Sequence, residues 1–242
     1  FKQKTAYEIS LGLVGSEMCI RDRAIRRCLS EVESSLRKIA QAASEDPVLK
    51  ARMVGVGLLH REEAKKYCVV GPTARGSGLE IDVRRDDPYA AYDEVEWEVC
   101  VEDKGDVYAR FLVRLRECFE SVRIGRQALD KMPAGEICVE VEEFPKGEAV
   151  GRGEAPRGEL IYYVRSNGTS RPERVRIRTP SFVNNAALPV MLIGGSLADV
   201  PIVVGSIDPC YSCTDRVVVV DRRTGSSRVL TFEQLGRCKK LV

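Results

Sequence analysis

The stretch that most restricts the fold is Asp106–Lys131, which carries Val107, Phe111, Leu115, Phe119 and Val122 at spacings of three and four. That period is helical, and a long helix with one apolar stripe has to bury the stripe against another element. Ala24–Ala43 offers a second such face in Ile25, Leu29, Val32, Leu36, Ile39 and Ala43, and Ser44–Pro47 ends it. Leu160–Arg165 and Arg174–Arg178 read as strands of a hairpin through Ser166-Asn167-Gly168-Thr169. Arg216–Asp221 and Ser227–Leu230 read as a second hairpin across Arg222–Ser226. Long helices mixed with antiparallel β-hairpins predict an α+β fold with a long-helix core, not a doubly wound parallel sheet.

Shorter elements fill the rest. Arg61–Tyr67 reads as a short helix, and Glu96–Glu102, with Trp97, Val99 and Val101 on one face, reads as a strand; Ile137–Val141 alternates likewise. Ser181–Leu197 is an apolar helix, and Thr231 opens a last helix in which Gln234 completes a capping box. Gly71–Gly78 lacks the Lys-Ser/Thr ending of a phosphate loop, so it reads as a tight structural loop with Arg75 in an inter-segment ion pair. Asp86, Asp87 and Asp93 read as a solvated or salt-bridged segment. The most apolar stretch, Ala186–Gly205, is interrupted by Pro189, Gly194, Gly195, Asp199 and Pro201, so it reads as buried helix pieces rather than a membrane span.

Composition excludes several classes. With 38 Lys plus Arg against 36 Asp plus Glu, the net charge of +2 lacks the basic surplus of a generic nucleic-acid binder. Nine cysteines, an odd number and mostly scattered, fit a reducing compartment better than a disulfide framework. Cys28, Cys68, Cys100, Cys118 and Cys138 read as small buried apolar residues, and His60 as a surface or packing residue. Phe1–Arg23 has no apolar core of signal-peptide length. Tyr7–Arg23 has no clean period and resembles translated adapter read-through from a sequencing library, so residues 1–23 read as a non-native segment.

The chemistry concentrates in Asp208-Pro209-Cys210-Tyr211-Ser212-Cys213, which holds the one cysteine pair at ligand spacing. Asp208 suits an N-cap and Pro209 a first helical position, which would place Cys210 and Cys213 on one face of a turn. Free N–H groups at such a turn favour thiolates, and two neighbouring thiolates clamp a soft metal. The spacing alone leaves a metal site, a redox pair and a structural turn open.

The context narrows this. Gly71-Pro72-Thr73-Ala74-Arg75-Gly76-Ser77-Gly78 is followed by Asp82-Val83-Arg84-Arg85-Asp86-Asp87-Pro88-Tyr89 and Gly105-Asp106-Val107-Tyr108-Ala109-Arg110. Then come Glu154-Ala155-Pro156-Arg157-Gly158-Glu159, Thr179-Pro180-Ser181-Phe182 and Asp208-Pro209-Cys210-Tyr211-Ser212-Cys213-Thr214-Asp215-Arg216. With these motifs in this order, residues 24–242 resemble the large subunit of nickel–iron hydrogenases. The nearest branch is the membrane-bound, energy-converting group related to the large catalytic-arm subunit of respiratory complex I. The complex I subunit has lost both cysteines of the last motif; this chain keeps them.

The resemblance implies a hydrogenase-like or complex-I-like fold over residues 24–216 and a reversible formation and oxidation of H2. It implies a nickel–iron centre with CO and cyanide ligands, held in part by Cys210 as terminal and Cys213 as bridging ligand. Arg157, set by Pro156, would face the open side of the metals, Ser181 would hydrogen-bond a cyanide or cap its helix, and Asp208 would cap a helix and pair with Arg157. Electrons would pass to an iron–sulfur small subunit bearing a 4Fe-4S cluster. The implied partners are membrane-arm subunits and a ferredoxin- or formate-linked donor, on the inner face of the cell membrane. A maturation protease would cut between Arg216 and Val217, removing a tail (217–242) with six Lys or Arg against two Asp or Glu. The family's second cysteine pair, in R-x-C-G-x-C-x-x-x-H, is absent from this sequence. The expectation is that residues 1–23 stand where such upstream sequence belongs. Two rivals remain: a nickel-free complex-I-like NAD(P)H or quinone oxidoreductase subunit, and a scaffold whose cysteine pair is structural.

Overall fold

The structure, a computed structural model, describes residues 16–132, 143–214, 218–220 and 223–229. The expectations for Ile137–Val141, Cys138, Asp215–Val217 and the helix at Thr231 lie outside these residues. The described chain falls into two units, one ending at Pro209 and one beginning at Cys210.

The first unit opens with helix α1 (Ser16–Glu45) and four short helices: α2 (Pro47–Met53), α3 (Arg61–Lys66), α4 (Pro72–Arg75) and α5 (Val83–Asp86). The long α6 (Val107–Asp130) follows, capped by the Asp106 carboxylate, which accepts from the N–H of Ala109 at 2.7 Å and of Gly55 at 2.9 Å. Helices α1 and α6 lie antiparallel. Arg26 pairs with Asp130 at 2.7 Å, Glu33 with Arg126 at 2.5 Å, and the Arg37 guanidinium stands over the Phe119 ring. Half of the α1 apolar face is turned to this seam; Ile25, Val32 and Ile39 are exposed.

The core is built from the segments between and after the long helices. Leu59, Ala64, Val69, Ala74 and Leu79 meet Val107, Ala187, Met191, Val203 and Ile207 there. At its edge, fully buried Arg110 spends its guanidinium on Ser206 Oγ and on the carbonyls of Gly105 and Gly57, all at 2.8–2.9 Å. Burial pushes the pKa of this arginine down to about 10, with the neighbouring Arg114 adding to the effect.

Strands β1 (Lys146–Ala155), β2 (Gly158–Asn167) and β3 (Arg174–Arg178) form one antiparallel sheet with β2 in the centre, Gly151 opposite Tyr162 and Tyr162 opposite Ile177. The expected hairpin is therefore present, with an unexpected third strand. Helices α7 (Pro180–Asn184), α8 (Leu188–Leu192) and α9 (Val200–Ser206) complete the unit, linked by 3-10 turns at Asn185–Ala187 and Leu197–Asp199. The continuous helix expected over Ser181–Leu197 is thus broken, because Pro189 and the Gly194-Gly195 pair interrupt its hydrogen bonding. The helix pieces expected from the apolar stretch are there, but Ile193 and Leu197 are exposed rather than buried.

Glu96–Glu102 is not a strand of any sheet among the described residues. Its backbone is bonded instead by α6 side chains: Gln127 bridges the N–H and C=O of Glu96 at 2.9 and 2.6 Å, and Glu120 accepts from the Glu98 N–H at 3.0 Å. Of the expected face only Trp97 is fully buried, with Arg84 and Arg85 over its indole; Val99 and Val101 are half-buried, and Cys100, on the opposite face, is buried. Of the single cysteines, Cys100 is buried as expected, and burial pushes its thiol pKa up to about 11; Cys28, Cys68 and Cys118 are exposed, contrary to expectation. In the second unit, α10 (Tyr211–Thr214) is followed by β4 (Val218–Val220) and β5 (Ser227–Val229), paired antiparallel as the sequence suggests. Among the described residues, no helix is long and apolar enough to cross a membrane.

Candidate functional site

Pro156 and Arg157 are the two turn residues between β1 and β2, closed by the pairing of Ala155 with Gly158. Two glycines let this turn approach the start of α4. Gly71 has φ 66°, and a Cβ there would lie 2.4 Å from the Arg157 carbonyl oxygen. Gly158 has φ 126°, and a Cβ there would lie 2.6 Å from the Gly71 nitrogen. Both the left-handed backbone and the contact therefore require glycine. The Gly71–Gly78 segment, expected as a loop, contains a single helical turn (α4), and Pro72 suits its first position.

Arg75 extends from α4 into a buried acidic cluster. Its Nε lies 2.6 Å from Glu117, and its Nη1 lies 2.9 Å from Glu154 and 3.1 Å from Asp82. The expected inter-segment pair is present, and it joins four elements. Burial alone would lower the Arg75 pKa, but Glu117, Glu154 and Asp82 together raise it. Burial raises the pKa of Glu154, Asp82 adds to the rise, and Arg75 opposes it. Glu154 also accepts from the Val83 N–H at 3.3 Å, and its own N–H donates to the Tyr89 hydroxyl at 3.1 Å. Arg157 thus lies three residues from a fixed point.

Arg157 reaches Asp208. Its Nε donates to the Asp208 carbonyl, and its Nη2 lies 3.1 Å from both carboxylate oxygens. Asp208 has φ 52°, in the left-handed region, whereas an N-cap residue is extended. Its carboxylate serves Arg157, so the expected cap is not formed. Helix α10 begins at Tyr211, so Pro209 is not its first residue either. Ser181 is corrected likewise: Thr179 holds the N-cap position of α7, and Ser181 sits inside the helix, 1% exposed.

Arg114, one turn beyond Arg110 on α6, donates Nη1 to the Arg110 carbonyl, and its buried Nη2 has no hydrogen-bond partner among the described residues. Burial lowers its pKa; Asp208 and Glu117 raise it, and Arg75 and Arg157 lower it further. Neither Arg114 nor Asn184 stands out in the sequence. The pair Asn184-Asn185 inside the otherwise apolar run Phe182–Leu188 is the available signal, because a buried amide needs partners, and it does not say which of the two is bonded.

In the second unit, Cys210 and Cys213 bring their Sγ atoms to 2.8 Å, well beyond the ~2.05 Å of a disulfide. The Cys213 N–H and Thr214 hydroxyl both donate to the Cys210 carbonyl, at 3.1 and 3.0 Å, and Ser212 Oγ lies 3.2 Å from Cys210 Sγ. A short turn therefore sets the two sulfurs side by side, Cys213 Sγ donating to Cys210 Sγ, though Cys210 precedes the helix instead of lying within it. Among the described residues, no group of three or more His, Cys, Asp or Glu is placed to hold a metal ion. The donor chemistry fits two positions of a soft-metal ligand set.

The family model for the respiratory-chain NADH dehydrogenase 49 kDa subunit matches residues 19–144 and 138–216. The chain belongs to this family. Its relatives include the carbon monoxide-induced hydrogenase of Rhodospirillum rubrum, 44% identical over 190 residues, covering 78% of this chain and 53% of that protein. An NADH-quinone oxidoreductase subunit of Dehalococcoides mccartyi is 39% identical over 196 residues, covering 80% of this chain and 53% of that protein. Formate hydrogenlyase subunit 5 of Escherichia coli is 34% identical over 213 residues, covering 88% of this chain and 37% of that protein. The chain spans about half the length of the curated relatives it matches, or less. The α+β architecture and three-stranded antiparallel sheet fit this family's fold.

Proposed function

We propose that this family member is part of the large subunit of an energy-converting nickel–iron hydrogenase, catalysing the reversible formation of H2. The single observation that carries the reading is the proximity of the Cys210 and Cys213 sulfurs, 2.8 Å apart, in a motif that holds both cysteines. Similarity to a carbon monoxide-induced hydrogenase and to formate hydrogenlyase subunit 5 supports it.

Cys210 and Cys213 would hold the centre by their thiolates, as two of four such ligands. When bound, a nickel–iron centre supplies Lewis acidity and redox capacity for heterolytic cleavage of H2. Cys210 Sγ would take up the proton released there and return it in the reverse direction. Arg157, held through Asp208 and set by Pro156, would supply the remaining N–H groups of its fork as donors to the reaction. Ser181 would offer its hydroxyl to a cyanide ligand. Electrons would leave through an iron–sulfur small subunit. Membrane-arm subunits, a ferredoxin- or formate-linked donor, attachment at the inner face of the membrane and maturation cleavage after Arg216 belong to the same proposal.

The second reading is a nickel-free oxidoreductase subunit of the complex I type, favoured by relatives such as the NADH-quinone oxidoreductase subunit of Dehalococcoides mccartyi. Cys210→Ser in the assembled complex separates the two. Under the first reading it abolishes H2 chemistry and lowers bound nickel. Full electron transfer with no change in nickel content would instead support the second.

A further inference from the structure

The Arg157 side chain is fixed by Asp208, but its backbone is fixed from elsewhere. Asn184, the last residue of α7, is fully buried and has both polar atoms of its side chain engaged. Its Oδ1 accepts from the Val70 N–H at 2.9 Å. Its Nδ2 donates to the Val70 carbonyl at 3.3 Å and to the Arg157 carbonyl at 3.2 Å. One amide therefore ties the backbone just ahead of α4 to the β1–β2 turn, at the point where Gly71 and Gly158 touch.

We propose that Asn184 is a positioning residue for Arg157, acting on its peptide carbonyl and thereby on the direction in which the guanidinium leaves the turn. The proposal rests on the catalytic reading of Arg157 given under the proposed function. Three features assign the amide to this task rather than to general packing. A buried carboxamide offers two donors and an acceptor in one plane, and here each kind is used on a main-chain group. No hydrophobic residue of similar volume could satisfy those three groups, and leaving them unbonded in the core is costly. The third bond goes to the one residue of the turn whose side chain faces Asp208, so a loosened turn shifts that fork. Displacements of about 1 Å far from the reacting atoms lower turnover by up to ~10²-fold.

The test is a double-mutant cycle in the assembled complex, read as H2 turnover alongside thermal melting. Asn184→Ala is combined with Arg157→Lys. Asn184→Ser, which keeps a small polar group but cannot span Val70 and Arg157 together, replaces Ala if the Ala variant does not fold. If Asn184 acts through Arg157, its substitution costs about 10²-fold in turnover with Arg157 present and less than about threefold in the Arg157→Lys background. Equal losses in both backgrounds would overturn the positioning role and leave Asn184 a core residue. Full turnover in Arg157→Lys alone would overturn the reading of Arg157 on which the proposal stands, whatever Asn184 does.

Discussion

Asp208 shows how a single residue can be read correctly in type and wrongly in role. The sequence Asp208-Pro209-Cys210 carries the usual signal of an N-cap followed by a first helical residue. In the structure Asp208 is left-handed and its carboxylate goes to Arg157, a partner 51 positions away. The helix begins only at Tyr211, three residues on, so Asp208 stands outside capping reach and its carboxylate is left to the half-exposed pair with Arg157. The two cysteine sulfurs are close as expected, but through a turn in which Cys210 lies before the helix rather than through a shared helical face. The amide of Asn184 was not legible in the sequence, because its partners Val70 and Arg157 are set by tertiary packing. At this scale, Arg157→Lys keeps the charge and loses the planar fork towards Asp208. Turnover is expected to fall about 10²-fold while the melting temperature stays within a few degrees, as steady-state assay and calorimetry would show. Unchanged turnover would remove Arg157 from the site.

At the scale of elements, the hairpins and long helices were visible in periodicity, and the failures have physical causes. Glu96–Glu102 alternates like a strand in sequence, but Trp97 and Cys100, on opposite faces, are its buried residues, and Gln127 and Glu120 of α6 take the place of a neighbouring strand. Strand β1 escapes a sequence reading because Gly147, Gly151 and Gly153 give it little β propensity, and pairing with β2 imposes its conformation. The contact between α4 and the β1–β2 turn is the most sensitive junction. Gly71→Ala is expected to destabilise the protein by more than the ~1–3 kcal/mol of left-handed strain alone, because the new methyl group meets the Arg157 carbonyl. Denaturant unfolding would measure it. Gly55→Ala is the matched control, at φ 71° with nothing within 4 Å of its Cβ, and is expected to cost only the strain. Equal losses in the two variants would deny that the junction is tightly closed.

Across the molecule, the Arg75 cluster ties α4, α5, α6 and β1 together through Glu117, Glu154 and Asp82. The ion pair is legible in the sequence; its three-carboxylate form is not, since sequence spacing does not reveal which acids converge. Arg75→Met is expected to cost about 3–5 kcal/mol, because it strands buried carboxylates. The cluster also predicts a pH dependence. Glu154 binds its proton more tightly folded than unfolded, so its contribution to stability is greatest at low pH and falls as pH rises through its raised folded value. Glu154→Gln is expected to flatten that slope above the usual carboxylate range, as melting temperatures across pH would show; an unaltered slope would place the titration elsewhere. Glu159 runs the other way. Burial works against its charge, but Arg152 and Arg178 lower its pKa, so its contribution is lost as pH falls.

The central claim is that Cys210 and Cys213 hold part of a nickel-containing centre. The most direct measurement is the nickel content of the purified complex, compared between the natural protein and its Cys210→Ser and Cys213→Ser variants, with H2 turnover recorded on the same samples. The account predicts stoichiometric nickel and H2 turnover in the natural protein, and loss of both in each variant. A natural complex that assembles and transfers electrons without nickel would contradict it.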